Sequence, residues 1–136
     1  MWIKFKEKKN VLAKKQTLGL RGEDLAAQYL CRHGYRIVAR NYRTRFAEID
    51  IVAEQHGVVC FVEVKTRKVL EYGEGVEAVS FWKQRKLSQA AVWYLREYSQ
   101  EDVAARFDVL SIKVSDVGQP EFELFEDAFE LAPNVG

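Results

Sequence analysis

A glutamate and a lysine stand two residues apart in a short, mostly apolar run of the chain. The run spans residues 58–67 and carries Glu63 and Lys65 near its end. Because side chains alternate across a strand, these two project from one face, while Val62 and Val64 project from the other. A charged pair at the end of a buried strand is costly unless it is compensated or used. The pattern predicts either a strand-exit ion pair or a catalytic site, and the neighbouring residues favour the site.

The first neighbour is Asp50, in the β-rich run of residues 48–53. If His56 and Gly57 form a two-residue hairpin loop, Asp50 stands directly opposite Glu63. A three-residue loop would shift this register by one position. Facing carboxylates repel unless a cation lies between them, and a divalent metal with oxygen ligands, next to Lys65, would meet that need.

A third carboxylate comes from the first predicted helix. Glu23 heads a stripe with Ala26, Ala27 and Leu30, whose spacing is that of a core-facing helix surface. An acidic residue near a helix start can simply complement the helix dipole. Its position on the apolar face also predicts a carboxylate that leans over the sheet toward the other two.

These residues belong to a longer series of motifs. The series is Gly19-x-x-Gly22-Glu23-x-x-Ala26-x-x-Tyr29-Leu30, Gly34-Tyr35, Arg40-Asn41-Tyr42-Arg43, Glu48-Ile49-Asp50-Ile51-Val52-Ala53, Phe61-Val62-Glu63-Val64-Lys65-Thr66-Arg67 and Arg106-Phe107-Asp108-Val109. In order and spacing, across about residues 18–130, it resembles the YraN-like family of uncharacterised predicted endonucleases, relatives of archaeal Holliday junction resolvases. The resemblance implies an α/β, restriction-endonuclease-like core with a PD-(D/E)xK type site. Glu23, Asp50, Glu63 and Lys65 occupy the positions of that pattern, and Ala47 departs from the glycine expected before Glu48.

The resemblance and the residue chemistry together predict a Mg²⁺-dependent endonuclease that hydrolyses DNA phosphodiester bonds, with Mn²⁺ as a substitute. Branched or structured DNA is the expected substrate by analogy with the resolvases, which cut as dimers, so a homodimer would fit. Asp50 and Glu63 would bind the metal with the Val64 carbonyl, and Lys65 would orient water or stabilise the transition state. The alternatives are a nucleic-acid-binding accessory module without turnover and a purely structural scaffold.

Composition limits how such a protein would bind nucleic acid. The 136 residues carry a formal net charge of only +1. A globally basic surface is therefore not indicated, and binding must depend on local clusters. The candidates are Arg43, Arg45, Arg67, Lys83, Arg85 and Lys86. Each would otherwise belong to a solvated face, which is the commoner role of such residues.

The chain divides into three parts. Residues 1–16 carry six lysines and predict either a basic nucleic-acid-binding arm or a disordered terminus. Residues 17–130 form one nuclease-like domain, and residues 131–136 should fray. Cys31 and Cys60 are expected to be free, buried thiols. Neither a membrane-length apolar run nor a signal-peptide core is present, which predicts a cytoplasmic protein without membrane partners.

The elements that position the site follow from periodicity and from breaker residues. Helices are predicted from Thr17 or Leu18 to His33, closed by Gly34, and from Val76 to Tyr98. Strands are predicted over residues 35–43, 48–53, 58–67, 106–114 and 121–125. The order α-β-β-β-α-β-β indicates a mixed sheet flanked by two helices, with the site at the open edge of the sheet.

Overall fold

The computed structural model describes residues 18–68, 79–133 and 135. The elements are α1 (Leu18–Arg32), β1 (Arg36–Arg43), β2 (Glu48–Gln55), β3 (Val58–Lys68), α2 (Phe81–Glu97), β4 (Ala105–Val114) and β5 (Glu121–Phe129). The α/β class and the order α-β-β-β-α-β-β are confirmed. The lysine-rich residues 1–16 and residues 69–78 lie outside the described residues.

The five strands form one mixed sheet in the order β1-β2-β3-β4-β5. Strands β1 to β3 are antiparallel neighbours, β3 and β4 are parallel, and β5 is antiparallel to β4. A parallel pair needs a long crossover, and α2 lies within the connection from β3 to β4. The crossover sets β4 against β3 and makes β3 the central strand. The prediction of a site at the open edge of the sheet is therefore wrong, because β2 and β3 both lie in its interior.

Each face of the sheet is covered by a hydrophobic core. The core under α1 contains Ala26, Ala27, Leu30, Ile51, Cys60, Val62, Leu110 and Ile112. The core under α2 contains Val52, Val59, Phe61, Leu87, Ala90, Ala91, Tyr94, Phe107 and Val109. Strand β3 contributes to both cores, which accounts for its almost unbroken run of apolar residues.

The β2–β3 hairpin has a two-residue loop, which is one of the two loop lengths that the sequence left open. His56 and Gly57 have φ angles of 52° and 77°. Both central residues of a tight hairpin turn of this kind require positive φ. The register runs from Gln55 opposite Val58 to Ile51 opposite Val62.

Two element boundaries differ from the prediction by four residues or more. Helix α2 begins at Phe81 rather than Val76, because Ser80 has extended backbone and its Oγ accepts a hydrogen bond of 3.1 Å from the Lys83 amide. Such a cap fixes where the helix starts. Strand β5 continues to Phe129 instead of ending at Phe125, since a register shift in β4 lets the pairing resume.

Three further expectations concern single features. Cys60 is buried as predicted, but Cys31 is exposed, because it lies on the outer side of α1. Ala132 is buried and its amide donates to Ser88 Oγ at 2.9 Å, so at this residue the segment expected to fray is held against α2. In the part of the chain that the structure describes, no helix is long and apolar enough to cross a membrane.

Candidate active site

Asp50 and Glu63 meet where β2 and β3 diverge, a point we call the fork. Their positions follow directly after the last paired residues, Ile51 and Val62. Glu63 is buried, and the amide of Val64 donates a hydrogen bond of 2.8 Å to Asp50 Oδ2. This hydrogen bond joins the first part of β2 to β3 at Val64, the residue that follows Glu63.

The surroundings of Asp50 disfavour its charged form. Burial, followed by the charge of Glu63, raises the pKa of Asp50 from 3.8 to about 8. Glu23 raises it further, whereas the Val64 amide and the charge of Lys83 lower it. Without a bound cation, the site therefore keeps a proton on Asp50 at neutral pH.

Glu63 is paired with two lysines. Its Oε2 lies 3.8 Å from Lys65 Nζ and 3.5 Å from Lys83 Nζ. The lysine side chains are 34% and 41% exposed, while that of Glu63 is 9% exposed. The two ammonium groups thus form a positive, solvent-accessible rim over a buried carboxylate.

Sequence reasoning assigned Lys83 to nucleic-acid contact and missed its place at the fork. Lys83 lies in the first turn of α2, and its amide is held by the Ser80 cap. Ser80 is a residue type that favours the N-cap position, and this was the available signal. A helix begun at Phe81 would have placed Lys83 beside the end of β3.

Glu23 is held at the edge of the site by Asn41, a motif residue to which the sequence alone gave no role. Asn41 Nδ2 donates to Glu23 Oε1 at 2.9 Å, and Asn41 has a φ of 53°. Asparagine is one of the few residues that tolerate this left-handed conformation. The adjacent Arg40 is paired with Asp24 at 3.0 Å, so two successive residues of β1 fix this part of α1.

Gly22 allows α1 to approach β3 closely. A Cβ at Gly22 would lie 2.0 Å from Thr66 Oγ1 and 2.9 Å from Thr66 Cβ. No larger residue fits there without movement of one element. The missing side chain lets α1 contact β3 next to Lys65 and brings Glu23 toward the fork.

The remaining predicted nucleic-acid contacts do not gather at the fork. Arg43 lies 3.7 Å from Glu48, Arg45 stacks over Phe46, Arg85 donates to the Pro133 carbonyl, Lys86 lies over Trp82, and Arg67 pairs with Lys113 in the register of β3 and β4. They surround the site on β1, β3 and α2, and their role in binding stays a prediction.

The donor set of the fork fits a hard divalent cation. Within residues 18–68, 79–133 and 135, no three Asp, Glu, His or Cys side chains are grouped so that they could hold a metal ion. Mg²⁺ commonly takes only one or two protein carboxylates and keeps several waters. Asp50 and Glu63 supply two such carboxylates, and the Val64 carbonyl remains a predicted third ligand.

The turn before β2 accommodates the one departure from the family pattern. Thr44 Oγ1 accepts a hydrogen bond from the Ala47 amide at 3.1 Å, and the Thr44 amide donates to the Ala47 carbonyl at 3.0 Å. Ala47 does not have the positive φ that would require glycine. Alanine therefore leaves the turn that leads into Asp50 intact.

A family model for the uncharacterised protein family UPF0102 matches residues 22–112, a span that contains Glu23, Asp50, Glu63 and Lys65. The chain belongs to this family. A UPF0102 protein of Geobacter sulfurreducens is 50% identical over 117 residues, which cover 86% of this chain and 91% of the relative. A UPF0102 protein of Chlorobium phaeobacteroides is 48% identical over 83% of this chain and 93% of its own length. A third, from Rhodococcus opacus, is 46% identical over 87% of this chain and its entire own length.

Proposed function

We propose that this UPF0102 protein is a metal-dependent endonuclease that hydrolyses phosphodiester bonds in DNA. The proposal is carried by the fork, where Asp50 and Glu63 stand next to the last paired residues of β2 and β3, and where two lysines are paired with Glu63 Oε2. Burial and the charge of Glu63 raise the pKa of Asp50, and a bound cation would stabilise its charged form. Exposed ammonium groups beside them are suited to the oxygens of a phosphate.

Asp50 and Glu63, together with the Val64 carbonyl, would hold Mg²⁺, with Mn²⁺ as a substitute. When bound, the metal supplies positive charge beside the phosphate and lowers the pKa of water. Asp50 would lose its proton as the site fills, since its carboxylate would then face a cation. Glu23, anchored by Asn41, completes the acidic environment from the side of α1.

Lys65 and Lys83 would change partners when the substrate binds. In the free protein both ammonium groups neutralise Glu63. With a metal at Glu63, the two ammonium groups would be available to contact phosphate oxygens, where they would stabilise the negative charge of the transition state. Branched or structured DNA remains the proposed substrate class.

One observation favours a different function. The two ion pairs of Glu63 would also suit a static site in an accessory module that binds nucleic acid without turnover. Such a module needs positive charge at the fork but neither a metal nor a free Asp50 carboxylate. The two functions differ in whether the bound nucleic acid is cleaved.

The test is a cleavage assay over linear, single-stranded, flap and four-way DNA, with Mg²⁺ and with excess chelator. We expect cleavage only with the metal and none with Asp50→Ala or Glu63→Ala. Asp102→Ala, which removes an exposed carboxylate after α2, serves as the matched control and should cleave normally. Full activity in chelator would remove the metal mechanism. Binding across the panel without any cleavage would establish the accessory module instead.

A further inference from the structure

The outer side of α2 carries large aromatic side chains in contact with water. Trp82 and Trp93 are 67% and 49% exposed, and Phe81 is 64% exposed. The two tryptophans are separated by about three helical turns and so lie on the same side of the helix. Phe46, from the turn before β2, reaches the same surface, with its ring centroid 6.3 Å from that of Trp93. We call Trp82, Trp93 and Phe46 the aromatic stripe; Phe81 lies about 100° further round the helix and is not part of it.

Two rings of the stripe each have a cation beside them. Lys86 Nζ lies 5.5 Å from the centroid of the Trp82 ring, one turn further along α2. The guanidinium of Arg45 lies 5.0 Å from the centroid of the Phe46 ring. Aromatic rings set between positive charges are the surface that proteins use to bind single-stranded nucleic acid, where bases stack and phosphates pair with cations.

The stripe begins at the fork. Lys83 follows Trp82 directly and reaches Glu63 Oε2. From Trp82 to Trp93 the helix rises by about 16 Å, which gives room for several nucleotides. A strand that placed a phosphate beside Lys83 would therefore pass the rings with its neighbouring bases.

We infer that the aromatic stripe is a stacking platform for unpaired bases, and that the DNA bound at the fork is single-stranded next to the scissile phosphate. In a continuous duplex the faces of the bases are covered by their neighbours, so the rings would find nothing to stack on. The scissile phosphate belongs to the proposed function, on which that part of the inference rests. Binding of unpaired bases by the stripe is tested without cleavage.

The experiment measures binding of fluorescent oligonucleotides to the full chain in EDTA, where metal-dependent cleavage is blocked. The probes are a single strand, the same strand with abasic sites that keep its phosphates, and the matching duplex. Trp82→Ala and Trp93→Ala should each weaken binding of the normal strand by about tenfold. Neither substitution should weaken binding of the abasic strand, because that strand has no bases to stack on the rings. Trp82→Phe keeps a ring and should restore most of the affinity.

Tyr98→Ala is the matched control, since Tyr98 is a 53% exposed aromatic residue at the opposite side of the same helix end. It should bind as the unaltered chain does. Equal affinity of the unaltered chain and Trp82→Ala for the normal strand would overturn the inference. An equal loss of affinity for the normal and the abasic strand would also overturn it. The same holds if Trp82→Ala converts a dimer to a monomer and leaves the affinity for DNA unchanged.

The outcomes separate this inference from the proposed function. Ring-dependent binding of single strands, with no cleavage in Mg²⁺, would retain the platform and reject the nuclease. Mg²⁺-dependent cleavage of continuous duplex at equal rates by the unaltered chain and Trp82→Ala would retain the nuclease and reject the platform.

Discussion

Lys65 and Lys83 reach the same oxygen of Glu63 from two different elements. Both are partly exposed, so each ion pair contributes at most about 1 kcal/mol to stability. If the ammonium groups act on the transition state, Lys65→Ala and Lys83→Ala should each lower the single-turnover rate by about 10²-fold while the melting temperature holds.

Lys113→Ala is the control for these variants, because Lys113 is an exposed lysine on β4. It should change neither the rate nor the melting temperature. A lower melting temperature without any loss of rate, in Lys65→Ala or Lys83→Ala, would show that the lysines are structural partners of Glu63.

Asp50 makes stability depend on pH. Its pKa is raised to about 8, so between about pH 4 and pH 8 the unfolded chain loses a proton that the folded chain keeps. This contribution therefore destabilises the fold as pH rises through that window and levels off above it. In metal-free buffer at pH 8, Asp50→Asn should be more stable than the unaltered chain by at least about 1 kcal/mol. A free energy of this size corresponds to a pKa shift of less than one unit.

Urea unfolding at several pH values measures the effect. The gain should be small at pH 4 and vanish below about pH 3, where Asp50 is protonated in both states. Asp102→Asn, a change at an exposed carboxylate, should show no such dependence. A gain that is equal at pH 4 and pH 8 would assign the effect to packing or hydrogen bonding of the amide.

Local spacing predicts part of the site and misses the rest. The two-residue turn at His56 and Gly57 was enough to set Asp50 against Glu63, since register passes outward from a hairpin loop. The roles of Asn41 and Lys83 depend on a left-handed backbone angle and on a helix start. Neither of these follows from counting along a strand.

At the scale of the elements, the approach of α1 to β3 depends on Gly22. Gly22→Ala places a methyl group against the side chain of Thr66, and overpacking of this kind typically costs about 1–3 kcal/mol. We expect the melting temperature to fall and α1 to move away from β3, which would carry Glu23 from the fork. Thermal unfolding measures the first effect, and the pH dependence of stability measures the second.

Gly118→Ala is the matched control, because the nearest atom to an added Cβ there is Ser115 Oγ at 4.0 Å. It should be close to neutral. Combining Gly22→Ala with Thr66→Gly moves the side-chain volume from β3 to α1 and should recover part of the loss. An unchanged melting temperature for Gly22→Ala alone would contradict the close contact.

The end of an element was predicted well where a glycine marks it in the sequence. The start of α2 and the end of β5 were not predicted. Gly34, with a φ of 88°, follows α1 as expected for a glycine that ends a helix. The start of α2 was placed too early, because periodicity gives no sign of the cap at Ser80. The end of β5 was placed too early, because its pairing depends on a register shift in β4.

At the scale of the whole molecule, a buried carboxylate joins three strands and the segment before β1. Asp108 is fully buried and accepts hydrogen bonds from Tyr35 Oη at 2.9 Å, Arg106 Nε at 3.0 Å and the Asp127 amide at 2.8 Å. Arg106 also donates to Gln55 Oε1 at 2.8 Å, which brings β2 into the network. Asp108→Ala removes the buried carboxylate that Arg106 contacts and leaves that guanidinium, which is only 18% exposed, with the longer pair to Glu126. We expect it to destabilise the fold by about 3–5 kcal/mol.

Urea unfolding of Asp108→Ala measures this loss, with Asp116→Ala, at an exposed position after β4, as the control. A loss below about 1 kcal/mol would mean that Arg106 finds water or Glu126 as a substitute.

The order of elements was predictable, whereas the position of the site within the sheet was not. The order of the strands depends on where the connection through α2 places β4 in the sheet. Contacts between residues that are far apart in the sequence determine that position. Glu63 was correctly placed on a buried strand, but not near its end: β3 continues from Val64 to Lys68, and it is a central strand and not an edge strand.

The arrangement of the strands also has a kinetic consequence. Strands β1 to β3 pair through short turns, whereas β4 must find β3 across the whole length of α2 and its loops. Non-local pairing is slow, so the rate of folding should be limited by this step. Asp50 and Glu63 meet in the early hairpin, before α2 delivers Lys83. Their repulsion is then present in the transition state, and stopped-flow refolding of Asp50→Asn at pH 8 should be faster than that of the unaltered chain.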